Sequence, residues 1–518
     1  MREQVMMMVV VMVMAGGVLA TLKPPERSYK ILMLLMASPP SHRNVFVPIA
    51  EALADRGHQV EILSSLPDFS TSRRIIQHSS GINLMDIEHI NMFQVLQNEI
   101  DEFEIFVNVT TSMVDEVYKS PAVQELYSRR KTFDLFVTDH LCNEMSHPFL
   151  HEMPFITVAT PGMDPMQSAM LGNVQNPAFT PSLLATIPPP WNVYQRLANT
   201  AAHLLFPFFY NHWYYLPKLQ NKISSLFPDL PPLKELTRNQ SLTLLNTHFS
   251  LDMPYPLLPS QVEVGALHCR PGNPLPQDLD SWMEGAGEAG VVYFSLGSIT
   301  KGTKMPAKYR DLFIQAFSRL DQRVIWKYEG ALPGVSDNVL IKPWMPQQDI
   351  LSDPRVKMFM SHGGLLGTQE AIYHAKPILA LPIHGDQPRN AQNIANKGIG
   401  LYLNWDELSA DLIVYTIQEI INNSRYKRKI ENMSRALKDQ VETPQDLAVY
   451  WTEYVIRHKG APHLRSPAAS LSWVEFLMLD VVCGLLLAAV TTVLVLRKIA
   501  LVVVTVAFTG RTKTNTLK

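Results

Sequence analysis

Short apolar runs of strand length alternate with helical stretches along most of the chain. Residues 30–36, 59–64, 133–137 and 242–246 read as strands in the first half. Residues 290–296, 323–327, 356–360 and 378–381 read as strands in the second. Between the first two strands a helix is expected to run to Arg56, with Ser41 as N-cap and Gly57 as its stop. Helices are likewise expected over 306–320, 365–374 and 408–423. The Pro/Gly-rich stretch PGNPLPQDLD divides the halves, giving units over 21–270 and 271–470. The alternation predicts an α/β protein with two doubly wound, Rossmann-like domains facing a cleft.

Three stretches depart from this rhythm. Residues 1–20 carry Arg2 followed by a ten-residue-scale apolar core, the pattern of a signal peptide cleaved after Ala20; an uncleaved anchor is the rival. Residues 476–496 are apolar for the length of a bilayer span and are followed by Arg497 and Lys498, so the span predicts a cytosolic tail over 497–518. The second apolar patch, 499–509, is too short to span. Residues 163–232 are rich in Pro, Met, Trp, Tyr and Phe, which suits helices and loops over a cleft and equally suits plain hydrophobic packing.

Composition narrows the function. A formal net charge of −2 offers no electrostatic case for nucleic acid. Three cysteines, of which Cys142 and Cys269 could pair without anything forcing it, give no metal-ligand spacing, so no structural zinc is expected. The first β-α-β unit lacks G-x-G-x-x-G, which argues against a nicotinamide site and with it a dehydrogenase or epimerase. Sequons occur at Asn108, Asn239, Asn422 and Asn432.

The stretch richest in candidate chemistry is 344–390. A strand ends in Ser361-His362-Gly363-Gly364 and passes into a helix, a turn suited to phosphate through backbone N–H groups and the helix dipole. Upstream, the Trp344 indole could stack on a base, with the Gln347 amide at a base or ribose edge. Downstream, Glu370 could accept from ribose hydroxyls, and Asp386-Gln387 suits the vicinal hydroxyls of a sugar. Gly297-Ser298, after another strand, could donate to a diphosphate from the opposite side. Each residue has an ordinary alternative, such as a core Trp or a solvated Glu, but their order along the chain describes a base–ribose–phosphate–sugar ligand.

This W-x-x-Q … H-G-G … E-A … P … D-Q pattern resembles the donor signature of the UDP-glycosyltransferases, in particular the membrane-anchored arthropod members. The likeness runs from about residue 30 to the C-terminal anchor. It implies a GT-B fold, with 21–270 binding acceptor and 271–470 binding the UDP-sugar. It implies that Trp344 and Gln347 hold the nucleoside, Glu370 the ribose, His362 with Gly363 and Gly364 the diphosphate, and Asp386 and Gln387 the sugar. Leu366 stands where many relatives carry Asn, which would shift the phosphate load to His362, Thr368 and backbone N–H groups.

The resemblance also implies that His42, a surface or capping residue by pattern alone, is the general base, with Asp139 as its partner. His140 and His147 are the nearby alternatives. The expected reaction is metal-independent, inverting transfer of a sugar, glucose by the arthropod likeness, to a hydroxyl of a small lipophilic acceptor. UDP-glucuronic acid as donor, or UDP-sugar binding without catalysis, is the alternative. No cofactor beyond the UDP-sugar is expected, and homo-oligomerisation is left open. The implied location is the endoplasmic reticulum membrane, single-pass, with lumenal domains, although the terminal KTNTLK lacks the lysine positions that relatives use for retrieval.

Overall fold

The computed structural model describes residues 22–36, 38–66, 72, 74–82, 91–99, 101–141, 144–182, 185 and 187–514. The expected signal peptide and Cys142 lie outside the described residues. The described chain builds two parallel sheets. The first holds β1 (Lys30–Leu35), β2 (Gln59–Ser64), β3 (Ile75–Ser79), β4 (Leu135–Asp139), β5 (Phe155–Ala159), β6 (Leu242–Leu245) and β7 (Gln261–Glu263). The second holds β8 (Val291–Ser295), β9 (Arg323–Lys327), β10 (Val339–Lys342), β11 (Val356–Ser361), β12 (Ile378–Ala380) and β13 (Gly400–Tyr402).

Strand order is β3-β2-β1-β4-β5-β6-β7 in one sheet and β10-β9-β8-β11-β12-β13 in the other. Each sheet therefore reverses direction beside its first strand, between β1 and β4 and between β8 and β11. Crossovers leave opposite ways from such a point, so the carboxyl ends there border a crevice. Loops after β1, β4, β8 and β11 are the ones that reach it.

Both faces of each sheet are covered, which is why the strands read as continuous apolar runs. Ile31, Met33 and Leu35 enter one core while Leu32 and Leu34 enter the other, the two-residue alternation of a strand. In the second sheet Val292 and Phe294 face one core, and Val291 and Tyr293 the opposite one.

Three expectations are corrected. The first helix spans Pro40–Asp55 and has Pro39, not Ser41, at its cap, without a side-chain capping bond. Pro40 already fixes the backbone angle of the first helical position, and its missing N–H costs nothing there. The helix Pro444–Arg457, expected in the 271–470 unit, packs its Ala448, Val449, Val455 and Ile456 into the core of the first sheet. Glu453 on that helix accepts from Arg56 Nε at 2.5 Å and lies 3.0 Å from His58 Nε2. Lastly, the apolar C-terminal segment does not end at 496 but continues as one helix, Leu479–Thr514. Nothing from 485 to 509 is Gly or Pro, so nothing interrupts it. Its Leu479–Ala507 portion is long and apolar enough to cross a membrane, with none of its most apolar window buried.

Candidate functional site

The two switch points open onto a shared cleft of about 640 Å³. From the first half it is lined by His42, Glu102, Leu141 and the 161–164 stretch. From the second it is lined by Gly297, Ser298, Trp344, Gln347, His362, Gly364, Glu370, Asp386 and Gln387. His42, Leu141, Gly297 and His362, far apart in sequence, are thus gathered beyond the carboxyl ends of β1, β4, β8 and β11, the strands beside the reversals.

His42 sits in the first turn of its helix, just beyond β1. Asp139 is the last residue of β4, the neighbouring strand. His42 Nδ1 lies 2.6 Å from Asp139 Oδ2. Asp139 is buried and also accepts from Ser38 Oγ at 2.9 Å, Thr160 Oγ1 at 3.2 Å and the Leu141 N–H at 3.2 Å. Thr160 Oγ1 is 2.8 Å from His42 Nδ1 as well. With a carboxylate at Nδ1, the imidazole carries its proton there and leaves Nε2 with a free lone pair. Ser38 and Thr160 escaped the sequence reading, yet both follow strands at the same edge; the strand-end rule that found Asp139 applies equally to Thr160.

Of the two alternatives, neither His140 nor His147 lines the cleft. Buried His140 faces Asp164 at 3.1 Å; burial works to lower its pKa, but the hydrogen bond and charge of Asp164, together with Asp139 and Gln167, raise it. His147 is held between the Glu144 carbonyl at 2.7 Å and Thr237 Oγ1 at 2.8 Å.

At the phosphate turn the glycines shape the site by sparing His362. A Cβ on Gly297, which has φ +81°, would come 2.6 Å from His362 Cε1. One on Gly364 would come 2.5 Å from His362 Nε2. The imidazole is slotted between the two loops. Burial, then the nearby His384 and Lys327, pushes its pKa down to about 3, so it is neutral and donates from one nitrogen only. The helix that starts beside it, Leu365–Tyr373, begins without a side-chain cap and offers its first N–H groups to the cleft.

Two members of the expected phosphate set are corrected. Gly363 has both backbone groups engaged: its N–H donates to Ser361 Oγ at 3.2 Å and its carbonyl accepts from Asn390 Nδ2 at 3.1 Å. Thr368 is buried and donates its hydroxyl to the Gly364 carbonyl at 3.0 Å. Neither lines the cleft; Thr368 lies a full turn inside the helix, with its hydroxyl taken by the carbonyl at the helix start. Leu366 lines the cleft and packs against the core of the first sheet, so the side chain in the place of Asn ties the halves together.

Trp344 is 67% exposed on the cleft wall, which removes the core alternative, and the Lys327 ammonium is 5.8 Å from its ring centroid. Gln347 Nε2 donates to Glu370 Oε2 at 2.6 Å. Burial pushes the Glu370 carboxyl up to about 7, against that hydrogen bond and the charge of Arg270.

On the sugar side, Asp386 accepts from Asn390 Nδ2 at 2.6 Å. Gln387 is buried, and its carbonyl oxygen accepts from the Ile383 and His384 N–H groups at 2.9 and 3.1 Å. Only its amide nitrogen remains for a ligand. Glu102 of the first half reaches this loop, 3.1 Å from His384 Nδ1 and accepting from the Gly385 N–H at 3.1 Å. Sequence offered no signal for that bridge, because an acidic residue in the first turn of a helix reads as an ordinary dipole partner.

Among the described residues, the 163–232 stretch supplies only its start to the cleft, Met163 and Asp164. Its helix Val193–Phe208 instead exposes Tyr194, Leu197, Leu204 and Leu205. Asn108, Asn239, Asn422 and Asn432 are all exposed. Among the described residues, no group of three His, Cys, Asp or Glu side chains has metal-binding geometry.

Comparison with known proteins agrees with this layout. Residues 31–514 match the family model of UDP-glucoronosyl and UDP-glucosyl transferases. UDP-glycosyltransferase UGT5 of Dactylopius coccus is 34% identical over 90% of this chain and 91% of its own. UDP-glucosyltransferase 2 of the same insect is 33% identical over 88% and 90%. UDP-glucuronosyltransferase 2B9 of Macaca fascicularis is 30% identical over 89% and 91%. A solved UDP-glucosyltransferase from Polygonum tinctorium superposes with a TM-score of 0.58, at 16% identity, over 83% of this chain and 99% of that one. The chain belongs to the UDP-glycosyltransferase family: it is a GT-B enzyme that moves a sugar from a UDP-sugar.

Proposed function

We propose that the chain transfers glucose from UDP-glucose to a hydroxyl of a small lipophilic acceptor, with inversion at the anomeric carbon and His42 as general base. The contact that carries this reading is His42 Nδ1 to Asp139 at 2.6 Å, on the cleft wall opposite the phosphate turn. Nε2 takes the acceptor proton, and Asp139 stabilises the imidazolium that forms. The acceptor oxygen bonds to the anomeric carbon as the bond to the UDP oxygen breaks. Charge on departing UDP is met by the start of the helix Leu365–Tyr373, His362 and the Gly297-Ser298 turn, without a metal. Trp344 stacks on uracil, Glu370 takes the ribose, and Asp386 with the Gln387 amide takes the sugar. The similarity to an insect UDP-glucosyltransferase favours glucose over glucuronic acid.

The test is UDP release with phenol, steroid and flavonoid acceptors, comparing UDP-glucose with UDP-glucuronic acid. UDP-glucose should support the faster turnover. Faster turnover with UDP-glucuronic acid overturns the donor assignment; tight donor binding without acceptor-dependent UDP release favours a binding protein.

The reading extends to a single-pass protein of the endoplasmic reticulum, with both sheets lumenal and the exposed sequons glycosylated. A mobility shift on glycosidase treatment, with protection from protease added outside sealed microsomes, is expected. Cleavage of both halves by that protease contradicts this orientation.

A further inference from the structure

Three side chains from three elements form one hydrogen-bonded line beneath the nucleoside end of the cleft. Tyr293 on β8 donates its hydroxyl to Gln347 Oε1 at 3.2 Å. Gln347, at the start of the helix Gln347–Ser352, donates Nε2 to Glu370 Oε2 at 2.6 Å. An ionised carboxylate only accepts, so the amide must turn its nitrogen toward Glu370. An amide can turn end for end unless its oxygen is held, and Tyr293 supplies the donor that holds it. Tyr293 is 1% exposed, its ring stacked on Phe359 at 5.2 Å and 10° between planes. Its hydroxyl is also hydrogen-bonded to Ser295, the last residue of β8.

We propose that Tyr293 is a positioning residue for the donor: it locks the Gln347 amide with its nitrogen on Glu370, keeping that carboxylate ionised and oriented to accept the ribose hydroxyls of the UDP-sugar. This rests on the reading that Glu370 takes the ribose. With the lock removed, the amide oxygen is free to swing toward the carboxylate, where two acceptors repel unless Glu370 takes a proton. A protonated Glu370 loses acceptor capacity toward the ribose.

Three groups of the neighbouring stretch face Glu370, whose carboxyl burial carries up to about 7. His268 Nε2, 3.7 Å from Glu370 Oε1, is held down to about 4 by burial. Burial keeps Cys269 a thiol, and Arg270 donates to Asp349 Oδ1 at 2.7 Å. Further off, His42, His362 and His384 line the same cleft, and removing the Tyr293 hydroxyl touches none of them.

The experiment measures the UDP-glucose dissociation constant of the full-length protein across roughly pH 6 to 8.5. The variants are wild type, Tyr293→Phe, Gln347→Leu and Glu370→Gln. Wild-type affinity should weaken as pH falls through about 7. Tyr293→Phe keeps the ring stack but should weaken at a pH about one unit higher, leaving it roughly fivefold weaker at pH 7 and approaching tenfold at pH 6, with kcat at saturating donor retained. Gln347→Leu, which breaks the line from the middle, should show the same displaced profile. A Tyr293→Phe profile superposing on wild type, while Glu370→Gln binds poorly, overturns the proposal. Wild-type affinity in Glu370→Gln at every pH overturns instead the ribose reading beneath it.

Discussion

His42 and Asp139 are 97 residues apart in the chain and 2.6 Å apart in space. β1 and β4 are hydrogen-bonded neighbours on either side of a reversal in strand order, and each residue follows or ends one of them. The pair is therefore a property of the topology, and Thr160, just past β5, joins it by the same route.

Thr160→Val keeps the side-chain shape and removes the hydroxyl shared by His42 and Asp139. Transfer should fall about tenfold, the worth of one hydrogen bond to a charged partner. UDP-sugar affinity should stay at the wild-type value. Steady-state kinetics with both substrates varied separates the two.

Trp344→Ala removes an exposed ring rather than a core one. UDP-sugar binding should weaken by roughly 1–3 kcal/mol while the melting temperature holds, checked by calorimetric titration and thermal denaturation. A large loss of stability with unchanged donor affinity would return Trp344 to a packing role.

Gly364→Ala places a Cβ 2.5 Å from His362 Nε2, so the imidazole must leave its slot. Donor affinity should drop about tenfold or more, as when one hydrogen bond to a charged phosphate is lost. Acceptor binding should not change.

Glu453 tests the return of the helix Pro444–Arg457 to the first sheet. Burial works to raise its carboxyl, but hydrogen bonds from His58 and Arg56 prevail and hold it down to about 2. A carboxyl depressed on folding adds stability above its unfolded pKa, and that stability is lost as pH falls through the interval down to the folded value. Glu453→Gln should therefore melt below wild type at pH 7. The gap should narrow from about pH 4.5 downward and close near pH 2. A gap independent of pH contradicts this assignment.

Much of the fold was legible because sheets covered on both faces demand continuous apolar strands, and those runs are visible one strand at a time. The cleft residues were legible where they end or closely follow such a strand, as Asp139, Gly297 and His362 do, whereas His42 reads as a capping residue by pattern and was singled out by the resemblance alone. Hydrogen bonds from a side chain back to its own helix were not legible: Thr368 is four positions after Gly364, and its hydroxyl returns to the Gly364 carbonyl. Partner choice was not legible either. The apolar stripe of Pro444–Arg457 fits any core, and only the contact with Arg56 and His58 reveals which one it joins. Glu102 and Tyr293 escaped because each acts through a residue distant in sequence, His384 and Gln347.

The central claim is that His42 is a base supported by Asp139 and not a structural residue. Its most direct test is turnover and UDP-sugar affinity for His42→Ala, Asp139→Asn and the double variant in the same membranes. Removing the base should cost roughly 10²–10⁴-fold in transfer. Asp139→Asn should be severely impaired as well, and the double variant little worse than either, because the two act as one unit. Donor affinity should match wild type in all three. Near-normal turnover in His42→Ala, or donor binding lost together with turnover, would contradict the account.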